Sequence, residues 1–248
     1  MTDSDARDSA AVTELDADPL ISVVVAAYNE SATLAQVLRK VAELPLRTEI
    51  IVVDDGSVDD TRHVLERLQR EELGDLRLEA HGANRGKGAA LRTGIALSRG
   101  DIVVFQDADL EYDPADVPGL LAPILDGHAD AVYGTRLRGG QPQRAHMFWH
   151  YAGNRLLTLL TNVLYNTTIS DMETGYKAFR GELIRSLPLV SEDFRIEPEV
   201  TARLLRRGGV RLYEIPISYY GRTYAEGKKI TWRDGLLAVG ALVRFRVD

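Results

Sequence analysis

The 248-residue sequence contains no cysteine, which excludes disulfide bonds and thiolate metal sites. Any bound metal must therefore be held by carboxylates, amides, histidine or water. A net positive charge is also lacking: the formal charge is -7 at pH 7, whereas general nucleic-acid binding usually needs a basic face. We therefore expect no nucleic-acid partner.

Long hydrophobic runs are missing as well. The longest nearly uncharged apolar stretch, residues 235–243, is shorter than the about 20 residues that cross a bilayer as a helix. Residues 1–19 are acidic at their start and lack the apolar run of a secretion signal, so we expect a disordered acidic tail there. These features favour a cytoplasmic protein and leave association with the membrane face open.

The residues that are present, 45% hydrophobic and 27% charged, are typical of a globular protein. Continuous apolar runs and helical periodicity alternate through the first half. The pattern predicts strands at 21–26, 49–53, 76–80, 101–105 and 129–133, and helices at 31–44, 59–73, 88–98 and 114–126. This alternation predicts an α/β fold with a mainly parallel sheet and helices on both faces, whose ligands gather at the carboxyl ends of the strands.

The second half continues this domain, which we expect to span residues 20–248. An amphipathic helix is predicted at 146–165, a helix at 197–207, a strand at 211–215 and a final helix from about residue 231. The first and last of these helices carry apolar stripes near basic residues. They fit an anionic bilayer surface, the sheet, or a seam between two copies of the chain.

Three carboxylates follow strand 101–105 on alternate residues: Asp107, Asp109 and Glu111. If the backbone stays extended, they point the same way and form a cluster of hard oxygen ligands, suited to Mg²⁺ or Mn²⁺ bridging a diphosphate. Helix capping is the favoured explanation for Asp113. It explains Asp107 and Asp109 poorly, because they lie too far before the helix.

Two more polar turns follow buried strands. Asp54 or Asp55 is placed to accept hydrogen bonds from a base or ribose, while Asp59 is explained equally well as a helix cap. Residues 84–88, Asn-Arg-Gly-Lys-Gly, open a helix and suit an anion at a helix N-terminus. They match neither the P-loop nor the dinucleotide fingerprint, so nucleoside-triphosphatase and dinucleotide-binding functions lose support.

Four of these segments, taken in order, resemble the signature of family 2 glycosyltransferases with the GT-A fold: residues 23–30, 53–57, 84–88 and 107–109. The second half resembles the dolichol-phosphate mannose synthase-like branch through residues 134–136, 171–180 and 214–217, with Arg222 and Lys229. Each segment alone is unspecific, whereas the ordered set at successive strand ends is specific.

The resemblance implies an inverting, metal-dependent transfer of sugar from a UDP- or GDP-linked donor to a polyprenyl or dolichyl phosphate. It places Ala27, Tyr28, Glu30 and Asp55 at the nucleoside, Lys87, Ala108 and Lys229 at the nucleotide sugar, and Asp107, Asp109 and Glu111 around Mg²⁺ or Mn²⁺. Arg136, Arg222 and Lys229 would contact the donor diphosphate or the acceptor phosphate. Ala27 stands where the mannose synthases usually have proline, which leaves the donor sugar open.

Alternatives remain for the acceptor side. A phosphate acceptor is already anionic near neutral pH, whereas a hydroxyl acceptor needs a general base. Asp171 is the candidate for that base or for organising the acceptor site, and a salt bridge with Lys177 or Arg180 explains it equally well.

His146 and His150 have helical spacing, but packing is favoured over metal binding. The competing functions are transfer to a soluble or saccharide acceptor, nucleotidyl transfer, and nucleotide-sugar binding without turnover.

Overall fold

A computed structural model describes residues 15–73, 75–144, 147–222 and 232–247. The strands are β1 (Ile21–Ala27), β2 (Thr48–Asp54), β3 (Arg77–Ala80), β4 (Ile102–Asp107), β5 (Ala131–Thr135), β6 (Lys177–Arg180) and β7 (Leu212–Pro216). The helices are α1 (Leu34–Ala42), α2 (Thr61–Glu71), α3 (Lys87–Leu97), α4 (Val117–Leu125), α5 (Phe148–Tyr165), α6 (Gly181–Arg185), α7 (Ile196–Arg207) and α8 (Trp232–Val247), with a 3₁₀ turn at Pro114–Asp116.

The strands form one seven-stranded sheet in the order β3-β2-β1-β4-β6-β5-β7. Within the described residues, only β6 runs antiparallel to its neighbours, β4 and β5; the remaining strand pairs are parallel. The predicted α/β class with a mainly parallel sheet is therefore confirmed. The parallel strands β1, β2, β4 and β5 bring their carboxyl ends to one edge, where the predicted polar turns follow them.

Helices cover both faces of the sheet, which explains the uninterrupted apolar run of β1. Val23 and Val25 lie in the same core cluster as residues of α1, α2 and α4. Val24 points to the opposite face and lies in the cluster that contains residues of α3 and α7. Alternate side chains of one strand therefore supply two separate cores.

The predicted elements agree with the structure to within a few residues, except for β6 and α6, which the sequence analysis missed. β6 is only four residues long and includes two cationic side chains, so it lacks the apolar run by which the other strands were found. The expected tail also differs from the structure at its end, because Leu15 packs against the core. Among the described helices, none is long and apolar enough to span a bilayer.

The apolar stripe of α5 faces outward. The buried face of α5 carries Leu157, Thr158 and Thr161, and Leu157 packs with residues of α8. On the other side, large apolar side chains are 59% to 81% exposed: Phe148, Trp149, Leu156, Leu159 and Val163. Packing of this stripe on the sheet is excluded, so the bilayer and a second copy of the chain remain as its candidate partners.

Gly94 permits the closest contact between α3 and the sheet. A Cβ atom at this position would lie 2.3 Å from Cγ1 of Val24, a fully buried β-branched side chain with no room to move. We predict that Gly94→Ala lowers the free energy of unfolding by about 1–3 kcal/mol, as overpacking does. Urea denaturation measures this quantity.

Gly119→Ala is the matched control, because a Cβ atom at this α4 position meets nothing within 4 Å. It should raise the free energy of unfolding by about 0.5–1 kcal/mol through helix propensity alone. Equal effects of the two substitutions would contradict the proposed packing of α3 on β1.

Candidate active site

A cavity of about 1490 Å³ opens at the carboxyl ends of the parallel strands. Eleven of the predicted site residues line it: Ala27, Tyr28, Glu30, Asp55, Lys87, Asp107, Ala108, Asp109, Glu111, Arg136 and Arg222. Asp171 is fully buried behind this wall. Lys229 and His146 lie outside the described residues. The structure therefore brings together segments that are distant in sequence.

The acidic segment after β4 is not extended. β4 ends at Asp107, and the chain bends through residues 108–112. The Asp109 Oδ1 atom accepts a hydrogen bond of 3.0 Å from the backbone N–H of Glu111, which closes a local turn. The prediction that three carboxylates point the same way along an extended chain is therefore wrong, although all three line the same cavity. Asp113 accepts from the N–H of Ala115, which confirms its predicted capping role.

Arg222 joins these carboxylates. Its guanidinium donates to Asp109 and lies 3.4 Å from both Glu111 Oε1 and Glu30 Oε2. Its backbone N–H also donates to Glu111 Oε1 at 2.8 Å. Burial, together with the charges of Asp107 and Glu111, raises the pKa of Asp109 to about 7 against the opposing effect of Arg222. Arg222 thus balances an acidic cluster that would otherwise repel itself.

The acidic cluster has the donor chemistry of a site for a hard divalent cation, because carboxylate oxygens of Asp107 and Asp109 line the cavity. Glu111 would be a weaker third ligand, because its Oε2 accepts from the Tyr219 hydroxyl at 2.9 Å and its Oε1 accepts from the Arg222 backbone N–H. Within the described ranges, no three acidic or histidine side chains are already grouped as a cation site. A cation bound at Asp109 would compete with Arg222, which donates to this carboxylate.

Asp55 holds the loop that precedes α3. Its carboxylate accepts hydrogen bonds from the backbone N–H groups of Arg85 and Gly86, at 3.0 and 2.7 Å, and lies 2.6 Å from His81 Nδ1. The other ring nitrogen of His81 lies 3.0 Å from the Thr93 hydroxyl. Asp55 therefore shapes the cavity wall at the predicted nucleoside site, in addition to lining it.

The N-terminus of α3 is partly closed by protein. The N–H of Ala89 donates to the Glu192 carbonyl at 2.9 Å, and a Cβ atom on Gly86 or Gly88 would lie 2.5 Å from a carbonyl oxygen of residues 191–192. The two glycines therefore permit close approach of another backbone segment. Lys87 lines the cavity together with Asn84 and Gly86 of this loop.

Arg136 and Asp171 form a buried pair. The guanidinium donates twice to the Asp171 carboxylate at 2.7 Å, and the Arg136 backbone N–H and Asn154 add further hydrogen bonds. Burial alone would raise the pKa of Asp171, but Arg136 outweighs it and lowers the pKa below its ordinary value. These contacts favour the salt-bridge explanation of Asp171 over a catalytic base, and its partner is neither Lys177 nor Arg180 as expected.

The family model for Glycosyl transferase family 2 matches residues 22–187, more than half of the chain. The chain belongs to glycosyl transferase family 2. The resemblance stated from the sequence motifs is therefore confirmed.

Relatives within family 2 differ in length and described activity. A dodecaprenyl-phosphate galacturonate synthase of Rhizobium johnstonii is 27% identical over 84% of this chain and 61% of its own. An undecaprenyl-phosphate 4-deoxy-4-formamido-L-arabinose transferase of Pseudomonas aeruginosa is 28% identical over 84% of this chain and 60% of its own. An uncharacterized protein of Methanocaldococcus jannaschii is 25% identical over 84% and 93% of the two chains. The chain thus spans about three fifths of the length of the two polyprenyl-phosphate enzymes.

Glucosyl-3-phosphoglycerate synthase from Mycobacterium tuberculosis has a similar solved structure, with a TM-score of 0.72 over 92% of this chain and 80% of that chain. That crystal structure contains Mn²⁺, UDP and glucosyl-3-phosphoglycerate. At 24% identity the likeness establishes the fold alone. The predicted GT-A fold is confirmed.

Several residues of this family 2 site escaped the sequence analysis. Glu173 lines the cavity, and burial raises its pKa to about 7, with its Oε1 lacking a hydrogen-bond partner among the described residues. Glu197 lines the cavity from α7. Arg144 and Arg233 add two cations to the same wall. Glu173 lay within a quoted motif, but no local pattern distinguishes any of the four from an ordinary surface charge.

The absence of a side chain at Gly175 leaves room for the Asp107 carboxylate. A Cβ atom on Gly175 would lie 2.5 Å from Asp107 Oδ2 and 3.1 Å from Lys87 Nζ. We predict that Gly175→Ala rotates the carboxylate and weakens binding of UDP or GDP in the presence of Mn²⁺ by at least about tenfold, because such sites depend on sub-ångström placement. Calorimetric titration measures the affinity.

Gly153→Ala serves as the control for this substitution. Gly153 lines the same cavity, but a Cβ atom there meets nothing within 4 Å. Its nucleotide affinity should match that of the unmodified protein. An unchanged affinity in Gly175→Ala would contradict the predicted dependence of nucleotide binding on the position of the Asp107 carboxylate.

Proposed function

We propose that this family 2 glycosyltransferase transfers a sugar from a UDP-glucose- or GDP-mannose-type donor to a polyprenyl or dolichyl phosphate at the cytoplasmic face of a membrane. The observation that carries the proposal is the combination of charged and apolar residues in the cavity wall. Its wall includes the carboxylates after β4 and the cations beside them, and also apolar side chains of α5 and α8: Trp149, Leu156, Leu157, Leu236, Ala238 and Val239.

A cavity of this composition suits an acceptor with a charged head and a hydrocarbon tail. The carboxylates and cations would form charge-assisted hydrogen bonds with a diphosphate, a sugar and an acceptor phosphate. The apolar residues would pack against isoprene units of the acceptor. Burial of these units is favourable by roughly 25 cal/mol per Å² of apolar surface. Trp149 and Leu156 belong also to the exposed stripe of α5, so the apolar part of the cavity is continuous with that stripe.

The reaction would be a displacement at the anomeric carbon. An acceptor phosphate oxygen forms the new bond, the bond to the β-phosphate oxygen of the donor breaks, and the nucleoside diphosphate leaves. Lys87 and Arg222, which line the cavity, would balance the charge that develops on the leaving group. Tyr28, Glu30 and Asp55 would hold the nucleoside. Mg²⁺ or Mn²⁺ held by Asp107 and Asp109 would supply further charge neutralisation of the diphosphate.

An incubation with labelled donors tests this proposal. The full chain is mixed with UDP-glucose, GDP-mannose and related nucleotide sugars, Mg²⁺ or Mn²⁺, and a polyprenyl phosphate, and products are separated by organic extraction. We expect a labelled lipid with one donor, and at least about a hundredfold less with Asp107→Asn, because an essential carboxylate is lost. Failure of every donor to label the lipid would refute the proposed acceptor.

The outward stripe of α5 supports contact with a bilayer. It is apolar, it continues into the cavity, and the exposed side of α8 carries Leu236 and Val243 together with Arg244. Amphipathic surfaces with flanking cations bind anionic lipid surfaces. We predict that Leu159→Glu weakens binding to anionic phosphatidylglycerol vesicles by about tenfold, the loss expected for one buried leucine. Vesicle co-sedimentation measures the binding.

Leu125→Glu is the matched control for Leu159→Glu. Leu125 is 41% exposed at the end of α4, and Leu159 is 59% exposed. Each substitution replaces a leucine by a glutamate. Repulsion between the new charge and the anionic vesicles would therefore weaken the binding of both variants. If vesicle binding is unaffected by Leu159→Glu, the stripe has another partner, and a homo-oligomer is then the remaining expectation.

Transfer to a hydroxyl acceptor is the second candidate function, and Glu173 is the observation that favours it. Glu173 lines the cavity, and burial raises its pKa to about 7, which suits a general base near neutral pH. A phosphate acceptor needs no such base. A labelled water-soluble product that disappears in Glu173→Gln would support this candidate over the lipid acceptor.

A further inference from the structure

A charge chain of four contacting side chains leads from the cavity wall into the core beneath it: Asp107, Lys87, Glu197 and Lys177. Lys87 Nζ lies 2.8 Å from Asp107 Oδ1 and 3.1 Å from Glu197 Oε1. The other oxygen of Glu197 accepts a hydrogen bond from Lys177. The side chains of Glu197 and Lys177 are 5% and 0% exposed, so this end of the charge chain is shielded from water.

Each member of the charge chain comes from a different helix or strand. Lys87 is the first residue of α3, Glu197 lies in the first turn of α7, and Lys177 opens β6. Lys177 is fixed further by a hydrogen bond of 3.1 Å to the Met172 carbonyl and by the Tyr133 ring, whose centroid lies 4.8 Å from its Nζ. The charge chain therefore ends on a rigid support.

Stability gives a poor reason for burying these charges. Replacing a buried ion pair by apolar residues of similar volume is often neutral or stabilising, because desolvation offsets the attraction. What an apolar pair would not provide is a negative charge at 3.1 Å from Lys87.

Lys87 is the cation of the charge chain that lines the cavity, and its ammonium contacts the carboxylates of Asp107 and Glu197. Its Nζ atom lies beside two opposite charges, which hold the ammonium by electrostatic attraction. Asp107 also lines the cavity and is available to other ligands. Glu197 contacts lysines with both of its oxygens and is the anchor that remains when Asp107 turns to a ligand.

We infer that Glu197 is a positioning residue for the donor diphosphate. Lys177 keeps Glu197 in place from below, and Glu197 holds the Lys87 ammonium at the cavity wall, where it meets the negative charge of a nucleoside diphosphate. This inference rests on the proposed donor site and adds to it a residue that does not touch the reacting atoms.

The test is a titration of the full chain and of Glu197→Gln with UDP or GDP in the presence of Mn²⁺, whichever nucleotide the unmodified protein binds. The substitution keeps the shape and removes the charge. We expect nucleoside-diphosphate binding to weaken by about tenfold, the scale of a misplaced binding group, while binding of the corresponding nucleoside is unchanged. Equal affinities of the two proteins for the diphosphate would overturn the inference. If the unmodified protein binds neither diphosphate, the proposed donor site itself fails.

Two further variants separate positioning from simple charge neutralisation. Glu197→Gln leaves Lys177 buried without its anion, so it is compared with the double variant Glu197→Gln/Lys177→Met. We expect the double variant to recover the thermal stability that the single variant loses, without recovering diphosphate affinity. Recovery of that affinity would mean that Glu197 serves only to neutralise Lys177.

Glu199→Gln is the control within the same helix. Glu199 is fully buried and accepts hydrogen bonds from the N–H groups of Val190 and Ser191 and from Arg203, away from Lys87. It should lower stability without changing diphosphate affinity. In a Lys87→Met background, Glu197→Gln should have little further effect on that affinity, because Glu197 acts through Lys87. An additional tenfold loss in that background would contradict the inference.

Discussion

Acidic side chains that follow β1 and β4 share one cavity, and cations from distant parts of the chain balance them. Arg222, beyond β7, contacts Glu30, Asp109 and Glu111, while Lys87 of α3 contacts Asp107. Several carboxylates in a poorly solvated site repel one another and resist ionisation unless opposite charge lies nearby. The fold around the cavity is organised to deliver that charge.

This balance explains features that are unrelated in sequence. Gly175 has no side chain because the Asp107 carboxylate and the Lys87 ammonium occupy the space beside it. Gly86 and Gly88 allow the segment before α7 to lie against α3, which brings Glu197 to Lys87. A donor diphosphate and its cation would enter a site whose opposite charges are already in place. Such preorganisation is the usual source of electrostatic catalysis.

The sequence predicted the frame of the molecule better than the pairing of its charges. Buried runs such as Ile21–Ala27 identify parallel strands locally, and the turns after such strands locate the cavity. The pairs Arg136–Asp171 and Arg222–Asp109 join residues 35 and 113 positions apart, which no local pattern specifies. β6 was missed because it is short and obtains its place between β4 and β5 from tertiary contacts. The periodicity of α5 was recognised, but periodicity does not tell which side of a helix faces the core.

The central claim of this account is that one cavity holds both the donor and the first isoprene units of the acceptor. Photocrosslinking with a polyprenyl phosphate that carries a diazirine near its phosphate, in the presence of UDP and Mn²⁺, tests it most directly. The account predicts label on cavity residues of α5 and α8, such as Trp149, Leu156 and Leu236, and competition by unmodified polyprenyl phosphate. Label confined to the outer stripe at Leu159 and Val163, or label without competition, would contradict it.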